Sequence, residues 1–112
     1  METRASEIGS FLDQTRDPNP RVRRQAVTHL CPCHVKQNHG PVWDRMLEMA
    51  ADPDPKVRNW VLHVLTDGSP RERQAEVLAV LTRLHDDPDL KLRRKARKVL
   101  AHFRRTGDLN VG

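Results

Sequence analysis

The sequence predicts an all-α protein, a right-handed superhelical stack of three helical hairpins. An aspartate-proline corner occurs at Asp17, Asp52 and Asp87, at a constant interval of 35 residues. A fixed period of this length indicates a solenoid of repeated helical units. Between the corners, apolar residues recur at spacings of four and eight, which places them on one helical face. We expect one domain over residues 1–112, with repeats at 3–34, 35–69 and 70–106 and a frayed tail at 107–112.

Each corner is expected to end one helix and begin the next. Its first proline disfavours helical backbone at the residue before it, which stops the upstream helix. The residue two places after the aspartate is an N-cap candidate in each corner, namely Asn19, Asp54 and Asp89. The second helices of the hairpins, called helices B, are expected near 20–31, 55–66 and 90–105. The first helices, called helices A, are expected near 3–15, 41–50 and 70–85.

The third repeat has two features of its own. Ser69 and Glu72 have the spacing of a capping box, with a proline between them at the first turn, so helix A should begin there. Arg97 stands where the earlier repeats have Val27 and Leu62. The last unit of a solenoid has no successor to pack on, so a polar residue on its outer face is expected.

Composition narrows the class of protein. The 112 residues carry a formal net charge of +5, a balance that suits an acidic partner. The chain has no run of about 18 apolar residues, and acids stand near its N-terminus where a secretory signal needs an apolar stretch. We therefore expect a cytoplasmic monomer that does not contact membranes, with reduced cysteines.

The corners resemble those of HEAT repeats, which are paired helices of about this length. The resemblance rests on three matching pairs of dipeptides: Asp17-Pro18 with Val22-Arg23, Asp52-Pro53 with Val57-Arg58, and Asp87-Pro88 with Leu92-Arg93. It covers nearly the whole chain and is similar to short bacterial HEAT proteins, some akin to phycobilisome-lyase-type repeats. It implies that these aspartates and arginines form a hydrogen-bonded ladder between neighbouring repeats. It implies a fold and leaves the function open.

Charge is segregated along the sequence. Helices B contain no Asp or Glu, yet they hold 13 of the 20 Lys and Arg residues. Because the resemblance places helices B on the concave side of the stack, we expect a basic groove there. We call its residues the basic face: Arg21, Arg24, Lys56, Trp60, His63, Lys91, Arg94, Lys95 and Lys98. A merely solvated face would need no such segregation, since a surface of mixed sign keeps a protein soluble equally well.

Trp60 has two interpretations that the sequence leaves open. It lies between Lys56 and His63 on the rim of the apolar face of its helix. An amphipathic aromatic side chain among cations is a candidate anchor for a partner. The same side chain can instead fold over and cover a thin core.

These patterns favour a non-catalytic binding scaffold whose basic face captures an acidic protein segment. The alternative for the same face is sequence-independent binding of nucleic acid through its phosphates. Catalysis is not expected, because three repeats form a shallow surface whereas a catalytic site needs a concave, water-poor cavity.

A second alternative is a metal- or redox-responsive protein. Cys31, Cys33 and His34 offer thiolate and imidazole ligands that suit zinc or copper. A single residue separates the two cysteines, however, whereas structural zinc sites usually separate them by about two to four. The 35-residue period also assigns this segment to an ordinary loop between repeats. We therefore expect no bound metal and no cofactor.

Overall fold

The computed structural model describes residues 3–32, 35 and 39–110. Within these residues the chain forms six α-helices and no strand. The helices are α1 (Ala5–Gln14), α2 (Pro20–His29), α3 (Gly40–Met49), α4 (Pro55–Leu65), α5 (Gln74–Leu84) and α6 (Leu90–Thr106). A 3-10 turn at Arg71–Arg73 leads into α5. No helix in this part of the chain is long and apolar enough to cross a bilayer.

The helices pack as three hairpins in two layers. Helix α1 packs on α2, α3 on α4 and α5 on α6, and each pair is one repeat. Along the stack α4 contacts both α2 and α6, while α3 contacts α5. Helices α2, α4 and α6, the helices B of the sequence, therefore form one layer. This arrangement confirms the predicted all-α stack of hairpins, and its handedness and concave side stay predictions.

The corners form as the sequence predicts. Asn19 accepts a hydrogen bond from the backbone N–H of Arg21 at 2.9 Å. Asp54 accepts from the N–H of Lys56 at 2.7 Å, and Asp89 accepts from the N–H of Leu92 at 3.0 Å. Each cap satisfies a donor that the first turn of a helix leaves without a partner. These caps fix the N-termini of α2, α4 and α6 in register with the repeat.

The core lies between the two layers. Its largest fully buried side chains include Leu30, Met46, Leu62, Leu65, Leu81 and Leu92. Burying one such side chain stabilises the fold by about 1.5–3 kcal/mol relative to leaving it exposed. Trp60 and Phe103 are half-buried and pack against the edge of this core. Arg97 is exposed, and its Nε donates to the backbone carbonyl of His85 at 3.1 Å.

One local prediction for the start of the third repeat is wrong. The capping box of Ser69 and Glu72 does not form, because Pro70 is the N-cap of the 3-10 turn and has no side-chain cap bond. The Ser69 hydroxyl lies 3.3 Å from Asn110 Oδ1 instead. The backbone N–H groups before the 3-10 turn are therefore bound by a side chain that follows α6, that of Asn110.

That residue belongs to the tail for which the sequence predicted fraying. Gly107 ends α6 with a φ of 73°, a left-handed conformation that glycine adopts without strain. The chain then folds back, and Leu109 is only 3% exposed. Asn110 Oδ1 accepts from the backbone N–H groups of Gly68 and Ser69 at 2.7 and 2.8 Å. Residues 108–110 are thus held in place, while the last two residues of the predicted tail lie outside the described residues.

Candidate binding face and inter-repeat ladder

Two arginines join neighbouring repeats. Arg23 donates from Nε and Nη2 to the two carboxylate oxygens of Asp52, at 2.9 and 3.1 Å. Arg58 makes the same bidentate contact with Asp87, at 3.1 and 3.0 Å. The four side chains are nearly buried, so water screens the pairs little. Bidentate Arg–carboxylate pairs are among the strongest hydrogen bonds in proteins, and these two fix the spacing of the repeats.

The same arginines hold their own corners. Arg58 Nη1 donates to the carbonyl oxygens of Asp52 and Pro53 at 2.8 and 3.2 Å. Arg93, one period later, donates only to the carbonyl of Asp87 at 3.1 Å. Within the described part of the chain Arg93 forms no salt bridge. At the other end, Asp17 Oδ1 accepts from the N–H of Asn19 at 2.8 Å. The six predicted ladder residues therefore form two pairs between repeats, Arg23 with Asp52 and Arg58 with Asp87. The other two, Asp17 and Arg93, make hydrogen bonds only within their own corners in the described residues.

A shallow cleft crosses the layer of α2, α4 and α6. It has a volume of about 390 Å³ and is lined by Arg24, Pro55, Lys56, Asn59, Trp60, Asp89 and Lys91. A second cleft of about 220 Å³ is lined by Pro20, Arg21, Arg24, Asp54 and Lys56. Because Arg24 and Lys56 line both, the two clefts adjoin. The structure thus brings five of the nine residues of the basic face into one surface depression that spans all three repeats.

The cations of the basic face are not neutralised by acids. Across the described ranges, none of its seven Lys and Arg side chains forms a salt bridge. Arg94 and Lys98 are exposed on α6, one turn apart. Lys95 between them is half-buried, and the lost hydration, with the nearby charge of Lys91, lowers its pKa. On the opposite layer, by contrast, Arg73 pairs with Asp44 at 2.6 Å.

Three of these cations stand where helix stability disfavours them. Arg21, Lys56 and Lys91 each occupy the second position of a helix, at the same place in the three repeats. The N-terminus of a helix carries a partial positive charge, so a cation there costs about 0.3–1 kcal/mol at the surface. The first turns of α2, α4 and α6 contain no acid. A cation recurs at this unfavourable position in all three repeats, which indicates that a role other than helix stability selects it.

Trp60 both lines the cleft and packs against the core, so each interpretation of this residue from the sequence has a structural counterpart. Its ring meets that of His63 edge to face, with 5.5 Å between centroids. His63 lies one turn further along α4, and its Nε2 is 3.8 Å from Asp67 Oδ2. His63 therefore lies between the cleft and the C-terminal end of α4.

The sequence grouped Cys31 with Cys33 and His34, and those last two lie outside the described residues. The buried thiol of Cys31 lies 3.3 Å from Asp67 Oδ2. With His63 it forms a cluster whose three candidate ligand atoms all lie within 4.8 Å of one another. The sequence analysis missed this cluster. Residues one period apart lie side by side in stacked repeats, and Cys31 is 36 residues from Asp67, so the period itself was the available signal.

Comparison with known families agrees with this architecture. The profile of HEAT repeats matches residues 8–104, which is most of the chain. Searches of curated proteins and of solved structures found no significant match. HEAT repeats generally serve as scaffolds for protein interaction and are typically non-catalytic. With three stacked hairpins, capped corners and a profile match over this length, the chain belongs to the HEAT-repeat family.

Proposed function

We propose that the basic face captures an acidic segment of a partner protein and performs no catalysis. One observation carries the proposal: in the described residues three cations without salt bridges, Arg24, Lys56 and Lys91, line one cleft together with Trp60. A fourth such cation, Arg21, lines the adjoining cleft. Cations that serve only solubility gain from nearby acids, which the opposite layer has. A carboxylate of a partner would supply the missing counter-charges, and interfaces with complementary charge associate fast and specifically.

The three cations at the helix N-termini strengthen this argument. Arg21, Lys56 and Lys91 add full charges to the partial positive charge of the helix ends, so their fields sum at the cleft. An anion bound there gains from both sources. The cost to helix stability is thereby offset when the partner is bound, which explains why the same choice recurs in each repeat.

Trp60 supplies the apolar part of the surface. Buried aromatic side chains surrounded by charged groups are frequent hot spots of protein interfaces. The cleft is open, as expected of a surface that holds side chains of an extended segment. The best partner is therefore a segment that carries acidic residues with an apolar residue among them.

The caps of the helices favour a peptide over nucleic acid. Asp54 and Asp89 place carboxylates at the edges of the two clefts. A phosphate backbone carries a charge at every nucleotide and would be repelled at these points. A peptide has backbone N–H groups that can face the carboxylates while its own acids face the cations. Nucleic-acid binding is accordingly an outcome that the experiment must be able to detect.

The test uses a double charge reversal, Arg94→Glu with Lys98→Glu. Both side chains are exposed on α6, so the fold should be retained. The variant should bind a labelled peptide rich in Glu, Asp and Leu about tenfold to hundredfold more weakly, since each contact turns from attraction to repulsion. Fluorescence anisotropy at two salt concentrations measures this. Trp60→Ala should weaken binding as well, with little dependence on salt.

The matched control is Arg71→Glu with Arg83→Glu on the opposite layer, where both side chains are exposed. Either double variant lowers the formal net charge from +5 to +1, because two cations become anions. Equal loss in both variants would mean that only net charge matters and would refute a localised binding face. Duplex DNA is titrated in parallel. If DNA binds more tightly than the peptide, with a log–log salt slope near about −2.7 for three phosphates, the nucleic-acid alternative replaces the proposal.

A further inference from the structure

A cluster of metal-ligating side chains lies beyond the cleft, at the far end of α4. Cys31 comes from the segment after α2, His63 from the last turn of α4, and Asp67 from the segment after α4. Cys31 Sγ lies 3.3 Å and His63 Nε2 lies 3.8 Å from Asp67 Oδ2. All three ligand atoms fall within 4.8 Å of one another. One thiol, one imidazole and one carboxylate from two repeats thus converge on one point.

Two of the three separations between the ligand atoms suit a tetrahedral metal. Zinc lies about 2.3 Å from sulfur and about 2.0–2.2 Å from nitrogen and oxygen, so tetrahedral ligands stand about 3.3–3.6 Å apart. The separations of Asp67 Oδ2 from Cys31 Sγ and from His63 Nε2 differ from this range by a few tenths of an ångström at most. Rotation of the His63 side chain, which is 37% exposed, would bring the three ligand atoms closer together.

The chemistry of the ligands selects the metal. A mixed set of sulfur, nitrogen and oxygen suits Zn²⁺, whereas magnesium and calcium prefer oxygen alone. The thiol is buried, but the imidazole and the carboxylate are partly exposed, so an ion can enter from solvent. Three protein ligands with a fourth position open to water is a common arrangement for this metal.

We propose that Cys31, His63 and Asp67 form a zinc site that clamps the first repeat to the second. In the apo protein the Cys31 thiol donates to the Asp67 carboxylate. Zinc takes the place of that proton, which leaves to solvent, and binds the resulting thiolate, the neutral imidazole and the carboxylate. No oxidation or reduction is involved. The local charge of the site rises from −1 to zero, because a dication and a thiolate replace a neutral thiol.

Metal binding at this site would change the environment of Trp60, which lines the cleft. The indole of this residue is in edge-to-face contact with the His63 ring. Any reorientation of His63 toward a metal therefore changes the surroundings of Trp60. This proposal does not rest on the basic face being a binding surface, because metal affinity is measured without any partner. It does provide a route by which zinc occupancy could alter the cleft.

The experiment titrates Zn²⁺ and Co²⁺ into the full, untagged and chelator-treated chain. Calorimetry should show one ion bound per chain, and Co²⁺ should give a thiolate-to-metal charge-transfer band in the near ultraviolet. Zinc should also raise the melting temperature, since it binds the folded state. Co²⁺ should quench the fluorescence of Trp60, which is identified by its loss in the Trp60→Phe variant.

Three single variants, Cys31→Ser, His63→Ala and Asp67→Asn, should each lower zinc affinity at least about tenfold. The charge-transfer band should vanish only in Cys31→Ser. His85→Ala is the matched control, because His85 also lies beside an aspartate, 3.3 Å from Asp86, but has no place in the cluster. Circular dichroism establishes that each variant is folded.

Two results would overturn the zinc site. The first is no saturable binding of either metal by the parent protein. The second is binding that survives His63→Ala and Asp67→Asn but is lost in a Cys33→Ser, His34→Ala double variant. That pattern would assign the metal to the loop cysteines and His34 and not to this cluster.

Discussion

Replacing Arg58 with alanine is expected to lower the free energy of unfolding by about 3 kcal/mol. The guanidinium makes four hydrogen bonds, two to the carboxylate of Asp87 and two to the carbonyls of Asp52 and Pro53. Removing one partner of a buried ion pair costs about 3–5 kcal/mol, and an exposed pair is worth about 0–1 kcal/mol. With side chains 13% and 8% exposed, this pair lies nearer the buried limit.

The third repeat offers a matched control. Arg93 occupies the same position as Arg58 but makes only one hydrogen bond, to the carbonyl of Asp87. Arg93→Ala should therefore cost about 1 kcal/mol, the usual net value of one such bond. The difference of about 2 kcal/mol between the two variants measures the bidentate rung between repeats together with the one additional bond of Arg58, to the carbonyl of Pro53. Loss of the aliphatic stem, which both variants share, cancels in this comparison.

Urea unfolding followed by far-ultraviolet circular dichroism measures both variants against the parent. A change in midpoint at constant slope reports stability alone. Arg58→Lys should fall between parent and alanine, because an ammonium keeps the charge but cannot form the two-pronged contact. Equal midpoints for Arg58→Ala and Arg93→Ala would refute the rung as a source of stability, whatever the size of the shared loss.

Two further substitutions test smaller features. Lys95→Met should raise stability near neutral pH by a few tenths of a kcal/mol, because the pKa of Lys95 is lowered in the fold by burial and by Lys91. The Lys95 ammonium holds its proton more tightly in the unfolded chain than in the fold, so the parent protein gains stability as pH rises toward 10.5. The advantage of Lys95→Met should therefore shrink over that range. An advantage that stays constant with pH would contradict the lowered pKa of Lys95. Asn110→Ala should cost about 1–2 kcal/mol, because two backbone N–H groups of the loop before α5 lose their acceptor. Hydrogen exchange should show those amides at Gly68 and Ser69 less protected, and unchanged protection would contradict the clamp.

The repeat made the helices predictable, and the reason is local. Each corner carries its own stop and start signals, so the starts of α2, α4 and α6 follow from Asn19, Asp54 and Asp89 without knowledge of the rest of the chain. The basic residues could be assigned to one layer for a similar reason, since the layer is set by alternation of helices. The composition of helices B then gave its charge.

Contacts between distant segments could not be predicted in the same way. The chain after α6 was expected to fray because Gly107 is a helix terminator, and nothing near Asn110 indicates that its side chain will cap a loop 41 residues earlier. The cluster of Cys31, His63 and Asp67 likewise depends on how closely two repeats stack. The 35-residue period indicates that Cys31 lies near Asp67, but it does not show how closely their ligand atoms approach or that His63 joins them.

The ladder has a direction, and this shows how a further repeat could be inserted into the chain. Each arginine reaches forward to the aspartate of the next corner, so every unit contributes one donor and one acceptor. A second copy of residues 52–86, inserted after residue 86, would begin with a corner aspartate and end with the helix that precedes the next corner. The first Arg58 would then meet the new Asp52, and the second would meet Asp87. The chain could thus be lengthened one helix pair at a time without redesigning the ladder, and each insertion would add another lysine and tryptophan to the same surface.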